Sequence, residues 1–331
     1  MKLVLFNAQP YDIESFNQSN TAVGHELIFI KQPLCMETVQ FAKDAIAICV
    51  FVNDVVDSLL LEQLFKQGVR LICLRCAGYN NVDITAASAL GIHVVNVPAY
   101  SPYAVAEHTL GLMLALNRHI PEADNRVHAG NFSISGLQGF DMHGKTAGII
   151  GTGRIGALVA YSLQSLGMRV LAVDPIQDSE CCNQSVEYVN MDTLLSQSDV
   201  ISLHCPYTAE NCHLINATLI SKMKRGVMLI NTSRGGLLDT QAAIDGVRSG
   251  QIGYLGLDVY EREQNLFFQD LSNKEIDDAD FKMLLSFPNV LITPHQAFFT
   301  AEAMNNIASA TLFSLSCFEK NEPLSNAILK Q

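Results

Sequence analysis

The sequence predicts an α/β protein with two doubly wound parallel-sheet domains, and three features support that prediction. Short apolar runs alternate with helix-like segments along most of the 331 residues. Many runs are apolar throughout rather than at every second position, which is typical of parallel strands covered by helices on both faces. A glycine-rich turn begins a second alternating series near the middle of the chain, so a separate domain precedes it.

The first hundred residues supply the strands of one sheet. We expect strands at five apolar runs, namely Lys2–Phe6, Leu27–Ile30, Ala45–Val52, Val69–Leu74 and His93–Val97. Amphipathic spacing predicts helices at 55–65 and 84–90. In the turn after the fourth run, Ala77 and Gly78 have no bulk that would keep a ligand from their N–H groups. A plain glycine turn explains these two residues equally well.

The next segment predicts a long helix, which begins at Ser101 and Pro102 because these residue types suit the N-cap and the first turn. The helix ends near Arg118 and would cross from the first domain to the second. Residues 119–144 are polar and rich in glycine, and we expect them to connect this helix to the next strand.

A strand, a tight turn, a helix and a second strand follow one another from Lys145 to Asp174. Gly151 permits the tight turn, Gly153 lets the backbone approach a pyrophosphate, and Gly156 lets the helix pack on the strand. The helix N-terminus attracts phosphates. Asp174 can accept hydrogen bonds from ribose hydroxyls and would repel a 2′-phosphate. The unit therefore predicts an NAD site, although glycines at this spacing alone also occur in ordinary turns.

Four further strands and a last helix complete the chain. The strands are predicted at 199–204, 226–231, 254–258 and 290–292. The helix is predicted from a Thr300 N-cap to Phe318, and we expect it to return to the first domain.

Reactive side chains follow three of these strands. The guanidinium of Arg234 can bind a carboxylate through two hydrogen bonds. Glu263 follows the next strand, and His295 lies after a proline in an extended turn. A histidine beside a carboxylate is stabilised as its cation and can act as a general acid near neutral pH. Reduction of a 2-oxo acid needs a cation for the carboxylate and an acid for the carbonyl oxygen, which Arg234 and His295 can supply.

Each of these residues also has an ordinary structural explanation. Arg234 could form a surface ion pair, the acids could be solvated, and His295 could bond to backbone. A Ser-His-Asp mechanism is disfavoured because no serine occupies a nucleophile elbow. Gly236 should loosen the loop after Arg234. Two cysteine and histidine spacings resemble metal sites but are better explained as core and loop, so no metal is expected: Cys73-x-x-Cys76 and His204-Cys205…Cys212-His213.

Composition narrows the class of protein. The formal net charge of −12 argues against a nucleic-acid or anionic-membrane surface. Hydrophobic residues make up 49% of the chain, but no uncharged apolar run is long enough to span a membrane. The nine cysteines are an odd number without a disulfide-framework spacing, which indicates a reducing cytoplasm.

At these residues the chain resembles the D-isomer-specific 2-hydroxyacid dehydrogenases, most of all the bacterial fermentative D-lactate dehydrogenases. Its motifs extend along nearly the whole chain in the family's order. They are Gly151-Thr-Gly-Arg-Ile-Gly156, Leu203-His-Cys-Pro206, Asn231-Thr-Ser-Arg-Gly235, Gly256-Leu-Asp-Val-Tyr-Glu261 and Pro294-His-Gln-Ala297. The stretch 263–270 is similar to the lactate branch rather than to the phosphoglycerate or formate enzymes.

The resemblance implies a Rossmann NAD-binding domain at 101–299, inserted into a flavodoxin-like substrate domain formed by 1–100 and 300–331. It implies NADH-dependent, reversible reduction of pyruvate to D-lactate by a homodimer or larger homo-oligomer. Arg234 would bind the carboxylate, His295 would be the general acid and base, and Glu263 would support it. The alternatives are a related enzyme for a bulkier 2-oxo acid and an NAD-sensing protein like the C-terminal-binding-protein corepressors.

The resemblance also implies the residues that line the two binding sites. Those of the NAD site are Gly151, Gly153, Arg154, Ile155, Gly156, Asp174, Cys205, Pro206, Asn211, Thr232, Ser233 and Asp258, the last facing the nicotinamide carboxamide. Those of the substrate site are Ala77 and Gly78 through their N–H groups, Tyr100 and Arg234.

Overall fold

The chain forms two compact units in a computed structural model that describes residues 1–177 and 185–328. The first unit combines Met1–Ser101 with Phe299–Gln331, and the second unit is Pro102–Phe298. Cys181 and Cys182, counted above among the nine cysteines, lie outside the described residues. The other seven are free thiols.

The first unit contains a five-stranded parallel sheet. Its strands are β1 (Lys2–Leu5), β2 (Glu26–Phe29), β3 (Ala47–Val50), β4 (Leu71–Leu74) and β5 (His93–Val95). Their spatial order is β2-β1-β3-β4-β5, the order of a flavodoxin-like fold. The helices are α1 (Pro10–Asn20), α2 (Ser58–Gln67), α3 (Ile84–Ala89) and the last helix of the chain, α11 (Ala301–Glu319).

The central strands form because their residues bury every side chain. All four side chains of β3 and all four of β4 are buried, as expected for strands covered on both faces. Asp57 and Asp83 begin α2 and α3 by accepting hydrogen bonds from the N–H groups of Leu60 and Ala86. All five predicted strands are therefore present; four are slightly shorter than their apolar runs, and β2 begins and ends one residue earlier than predicted.

Helix α11 begins where its sequence predicts. Oγ1 of Thr300 accepts a hydrogen bond from the N–H of Ala303 at 3.2 Å, so Thr300 is the N-cap. This helix packs against α1. The apolar pattern did not predict α1, because the surface of α1 is polar over most of its length. The Gln9 N–H donates to Asp12 Oδ2 at 3.0 Å and helps to start α1.

The second unit contains a seven-stranded parallel sheet. Its strands are β6 (Thr146–Ile150), β7 (Arg169–Val173), β8 (Glu187–Tyr188), β9 (Val200–Leu203), β10 (Val227–Asn231), β11 (Ile252–Leu257) and β12 (Val290–Ile292). Their spatial order is β12-β11-β10-β9-β6-β7-β8, a Rossmann order extended by one strand. The order reverses between β6 and β9, and ligands of such sheets bind beyond the carboxyl ends of the strands at this point.

Helices cover both faces of this sheet. They are α4 (Pro102–Asn117), α5 (Ile120–His128), α6 (Arg154–Ser165), α7 (Met191–Gln197), α8 (Ala217–Lys222), α9 (Thr240–Ser249) and α10 (Ala279–Ser286). Neighbouring strand residues belong to different cores: Ile149 packs in one hydrophobic cluster and Ile150 in the other. The two faces therefore explain why the predicted strands are apolar throughout.

The prediction for residues 119–144 is wrong in one respect, since this segment is not only a connection. It contains α5, which begins after His119 in a left-handed conformation with φ of 49°. None of the residues of α5 is buried, so the helix has no buried apolar face from which the sequence could predict it. Across both described ranges, no helix has the length and apolar character that crossing a membrane would require.

Candidate active site

The glycine-rich turn lies at the switch point, where β6 and β9 end. Gly151 has φ of +94°, and a side chain there would run into the backbone of His204 and Cys205. A Cβ at Gly156 would collide with the carbonyl oxygen of Gly151, so only glycine lets α6 approach β6 this closely. At Gly153 the space is open, and this residue is the N-cap of α6. The turn therefore leaves room for a pyrophosphate at a helix N-terminus.

Asp174 connects the end of β7 to that turn. Its Oδ2 accepts a hydrogen bond from the N–H of Thr152 at 2.7 Å, and its Oδ1 accepts one from the N–H of Ile176 at 2.8 Å. Each carboxylate oxygen has a second lone pair. The side chain can therefore hold the turn and also accept hydrogen bonds from ribose hydroxyls.

The other predicted cofactor residues occupy three places around the same strand ends. Arg154 is exposed and Ile155 half-buried at the start of α6. Ser233 Oγ donates to the Cys205 carbonyl at 2.7 Å, which joins the loop after β10 to the loop after β9. Thr232 is buried and bonds through its hydroxyl to Thr109 at 2.8 Å.

Asn211 uses its side chain within its own loop. Its Nδ2 donates to the Pro206 carbonyl at 2.7 Å, and its Oδ1 accepts from the Thr208 N–H at 2.7 Å. Both ends of the amide are thus engaged in shaping the loop that follows β9. With the open space at Gly153 and the carboxylate of Asp174, the set of donors and acceptors fits a dinucleotide.

His295 and Glu263 form a direct pair. His295 Nδ1 lies 2.7 Å from Glu263 Oε1, and the other carboxylate oxygen accepts a hydrogen bond from the Tyr260 N–H at 2.9 Å. Only 14% of the His295 side chain and 18% of the Glu263 side chain are exposed. The ring centroids of Phe268 and Phe298 lie 5.6 and 6.5 Å from that of His295. Since Nδ1 is engaged, Nε2 is the ring nitrogen that can exchange a proton with a substrate.

Asp258 holds the turn that contains His295. Its carboxylate is fully buried and accepts hydrogen bonds from the N–H groups of Gln296 at 2.9 Å and Ala297 at 2.8 Å, and from Thr293 Oγ1 at 2.5 Å. His295 has φ of 55°, a left-handed conformation that is unfavourable for a histidine. The bonds to Asp258 therefore stabilise a strained turn, a role that sequence reasoning did not assign to Asp258.

His108 is a second residue that sequence reasoning missed. Its Nε2 lies 3.0 Å from Thr293 Oγ1 and 3.4 Å from Asp258 Oδ1, so α4 supports the same turn. One local signal was available, since His108 is a histidine on the apolar helix α4, which has few other charged or titratable side chains. It does not indicate which residues His108 contacts, since these are 150 or more residues away along the chain.

Arg234 carries a positive charge that no carboxylate neutralises within 1–177 and 185–328. Its Nη1 donates to the Ser233 carbonyl at 2.7 Å, and its own carbonyl accepts from Asn231 Nδ2 at 2.9 Å. The residue is half-buried. Its guanidinium thus keeps donors available for an anion, as the sequence predicts for a carboxylate site.

The loop after Arg234 differs from its prediction. Gly236 was expected to loosen it, but the ring of Tyr207 covers Gly236, and a Cβ there would lie 2.8 Å from Tyr207 Cε2. Gly235 packs against the backbone of Tyr260 and Glu261 in the same way. The loop is therefore covered by its neighbours instead of being left free.

The remaining predicted substrate residues belong to the first unit. Asn96 Nδ2 donates to the Ala77 carbonyl at 2.7 Å, and Cys76 Sγ donates to the Gly78 carbonyl at 3.2 Å. The Tyr100 carbonyl accepts a hydrogen bond from Asn306 Nδ2 at 2.7 Å. Because a carbonyl and the following N–H point in opposite directions across a trans peptide, the bond to Ala77 orients the N–H of Gly78 away from Asn96.

The geometry of the second unit combines a dinucleotide cradle, a cation and a histidine–carboxylate pair, and comparisons with known proteins show which family uses it. The family model described as D-isomer specific 2-hydroxyacid dehydrogenase, NAD binding domain, matches residues 110–297. The chain belongs to the D-isomer-specific 2-hydroxyacid dehydrogenase family. It is thus an NAD-dependent oxidoreductase, and the predictions of enzyme class and cofactor are confirmed.

Similar proteins extend along the whole chain. D-lactate dehydrogenase of Escherichia coli K12 is 50% identical over 329 residues, covering 99% of this chain and 100% of that protein. D-lactate dehydrogenase kk1H of Curvularia clavata is 48% identical over 334 residues, with coverage of 100% and 96%.

Solved structures agree with this relationship. The apo-structure of the Escherichia coli D-lactate dehydrogenase has a TM-score of 0.92 at 48% identity, covering 99% of this chain and 100% of that one. The Aquifex aeolicus D-lactate dehydrogenase complexed with NAD and lactic acid has a TM-score of 0.89 at 32% identity, covering 99% of both chains. The predicted fold class, two parallel-sheet α/β domains with a Rossmann fold, is confirmed.

Proposed function

We propose that this enzyme is a D-lactate dehydrogenase that reduces pyruvate to D-lactate with NADH, reversibly. The observation that carries the proposal is the 2.7 Å pair between His295 and Glu263. It lies in the same unit as the glycine turn and Arg234, which has no carboxylate partner in the part of the chain that the structure describes. About half of all residues are identical to those of a D-lactate dehydrogenase over the full length. The D stereochemistry of the product rests on that kinship alone.

Arg234 binds the substrate's carboxylate. Its guanidinium has no carboxylate partner among the described residues, and its planar donors match the two oxygens of a carboxylate. A lysine there would present a single point charge and would hold the substrate in a less defined orientation. In the first unit, the N–H groups of Ala77 and Gly78 and the residue Tyr100 are proposed as further substrate-binding groups.

His295 moves the proton. In pyruvate reduction its Nε2 donates a proton to the carbonyl oxygen, and in lactate oxidation the neutral ring accepts the hydroxyl proton. Glu263 fixes the ring through Nδ1 and compensates the positive charge of the protonated form. Phe268 and Phe298 border the ring, and their apolar surfaces reduce the access of water to it.

The residues predicted for the NAD site bind the cofactor, and NADH, when bound, supplies the hydride. Gly151, Gly153 and Gly156 shape the turn for the pyrophosphate, and Arg154 and Ile155 lie at the start of α6. Asp174 accepts from the ribose. Cys205, Pro206, Thr232 and Ser233 line the opposite strand ends, and Asn211 and Asp258 shape the loops beside them.

The test is NADH oxidation with purified protein and pyruvate, followed by chiral analysis of the lactate. We expect NADH consumption equal to the D-lactate formed, and little or no L-lactate. A panel of 2-oxo acids, including 2-oxoisocaproate and phenylpyruvate, should be reduced with lower kcat/KM than pyruvate. If a bulkier 2-oxo acid is reduced faster than pyruvate, that acid would be assigned as the substrate instead. No turnover with any 2-oxo acid would contradict the proposal.

We also propose that the second unit forms a homodimer. Phe132 and Ile134 are 76% and 85% exposed, an unusual position for large apolar side chains. Nearby, α4, α5 and the segment before β12 line a cavity of about 470 Å³ in the same unit. Phe132→Ser with Ile134→Ser should weaken a dimer measured by light scattering, whereas Leu59→Ser, which removes a 65% exposed apolar side chain from the first unit, should not. A monomeric wild-type protein would contradict this proposal.

The free thiols support a reducing compartment, and we place the enzyme in the cytoplasm. Cys49 and Cys73 are buried, and burial raises the pKa of the Cys49 thiol to about 12. Such thiols are unreactive. Fractionation of cells that produce the protein should find its activity with the cytoplasmic markers.

A further inference from the structure

Three loops of the second unit meet at the carboxylate of Glu261. We call them the β9 loop (204–216), the β10 loop (232–239) and the β11 loop (258–264). Glu261 belongs to the β11 loop, and its Oε1 lies 2.5 Å from Nε2 of His213 in the β9 loop. Its Oε2 accepts a hydrogen bond at 2.9 Å from Oγ1 of Thr240, the residue that begins α9 after the β10 loop. One carboxylate therefore joins the β9 loop, the β11 loop and the first residue of α9, which directly follows the β10 loop.

Each joined loop carries residues of the proposed site. The β9 loop contains Cys205 and Pro206, the β10 loop contains Arg234, and the β11 loop contains Glu263. Neither His213 nor Glu261 belongs to the proposed reaction, and His213 is the second half of the His204-Cys205…Cys212-His213 spacing noted in the sequence. Among the described residues, no group of three or more His, Cys, Asp or Glu side chains is arranged to hold a metal ion.

The β10 loop depends on outside contacts for its conformation. Arg234 is followed by two glycines, which have the largest conformational freedom and no side chains to anchor them. The His213 N–H donates to the Gly236 carbonyl at 2.8 Å, and Gly235 packs against the backbone of Glu261. The loop is thus held by the same two residues that form the pair.

His213 forms the pair from a backbone conformation that is unfavourable in free energy. Its φ is 51°, in the left-handed region that non-glycine residues rarely adopt. The hydrogen bond to Glu261 raises the pKa of His213, and Asp239 adds a further attraction. From the β9 loop itself, Tyr207 and Cys212 bond to each other. Glu261 and Asp239 are therefore the negative groups that face the imidazole.

We propose that Glu261, through its pair with His213, is a positioning residue for Arg234. The pair fixes the part of the β10 loop that follows Arg234. The bond from Asn231 Nδ2 to the Arg234 carbonyl fixes the loop on the other side, toward the end of β10. With both ends held, the guanidinium keeps the orientation that a carboxylate needs. This inference rests on the proposed function in one respect, namely that Arg234 binds the carboxylate of a 2-oxo acid.

A purely structural role makes a different prediction. The side chains of His213 and Glu261 are 40% and 29% exposed, and ion pairs with this much solvent contact contribute little to stability. A pair of that kind would change the melting temperature slightly and leave the kinetic constants unchanged. A positioning pair instead changes the affinity for the carboxylate.

The test compares His213→Gln, Glu261→Gln and the double variant with the wild type. We expect the KM for pyruvate to rise by about fivefold or more in each, with kcat within about threefold. The inhibition constant of oxamate, which has an amino group where pyruvate has its methyl group, should rise equally, and the Kd of NADH should not change. The double variant should be no worse than either single variant, since the two residues act as one unit.

Glu187→Gln is the matched control. Glu187 forms a bidentate pair with Arg169, with distances of 2.8 and 2.6 Å, at the amino ends of β7 and β8. The two side chains are 48% and 50% exposed, somewhat more than those of the tested pair. This end of the sheet lies opposite the strand ends of the site. The control should keep the wild-type KM even if it melts earlier.

An unchanged KM and oxamate constant in both single variants would overturn the inference, even if they melt earlier. If Glu261→Gln does not fold, His213→Gln decides the matter alone. Wild-type protein without turnover on pyruvate would instead contradict the proposed function, so the two failures can be told apart.

Discussion

Nδ1 of His295 lies 2.7 Å from Oε1 of Glu263, and the Tyr260 N–H holds the other carboxylate oxygen at 2.9 Å. The carboxylate is thus fixed by backbone before it fixes the imidazole. Asp258 fixes the backbone of the same histidine through the N–H groups of Gln296 and Ala297. Two different acids therefore hold His295. Glu263 sets the orientation of its imidazole ring, and Asp258 sets the conformation of its backbone.

His295→Asn should lower kcat for pyruvate reduction by ~100-fold or more, the usual contribution of a general acid. NADH should still bind, because the glycine turn and Asp174 belong to other loops. Stopped-flow turnover and NADH fluorescence titration measure the two effects. Turnover within tenfold of the wild type would contradict the role of His295, and loss of NADH binding would indicate a folding defect instead.

Glu263→Gln should lower kcat for pyruvate reduction by about tenfold, a smaller loss than removal of the imidazole itself. The amide can still contact Nδ1 of His295, but it carries no negative charge to compensate the positive charge of the protonated ring. NADH should bind as in the wild type, because the substitution leaves the glycine turn and Asp174 unchanged. Stopped-flow turnover measures the loss, and a kcat equal to that of the wild type would contradict the role of Glu263.

The sequence was informative wherever a function depends on local spacing. Gly151, Asp174 and Thr300 each lie at the end of a strand or the start of a helix, and hydrophobic periodicity locates those ends. The same holds for Arg234 and His295, which follow predicted strands. Such positions need no knowledge of how distant segments pack.

Contacts between distant segments could not be predicted in this way. The turn of His295 depends on His108, and the loop of Arg234 depends on Tyr207 and His213. Nothing in the spacing of residues 204–213 indicates that their loop lies beside Gly236. Helix α5 escaped prediction for a different reason, since a helix without buried residues leaves no apolar pattern.

Asp174→Ser should weaken NADH binding and reduce the discrimination against NADPH. The substitution removes acceptors for the ribose and the negative charge that repels a 2′-phosphate. It also disturbs the bond to the Thr152 N–H that holds the glycine turn, so the KM for NADH should rise by about tenfold. Steady-state kinetics with both cofactors measure the ratio. A variant that keeps the wild-type preference for NADH would show that another residue excludes the phosphate.

His204 should make the apoenzyme less stable in mild acid. Burial lowers the pKa of its imidazole from 6.5 to about 3, so the folded state resists a proton that the unfolded state accepts. The free energy of unfolding should therefore fall as pH drops below about 6.5 and stop falling near pH 3. Because part of His204 keeps contact with solvent, we expect the free energy of unfolding to fall by about 1 kcal/mol between pH 6.5 and 5, a shallower slope than the about 1.4 kcal/mol per pH unit of a fully buried imidazole. Urea unfolding of His204→Gln should lack this part of the slope, and an identical slope in the variant would assign the acid sensitivity to other groups.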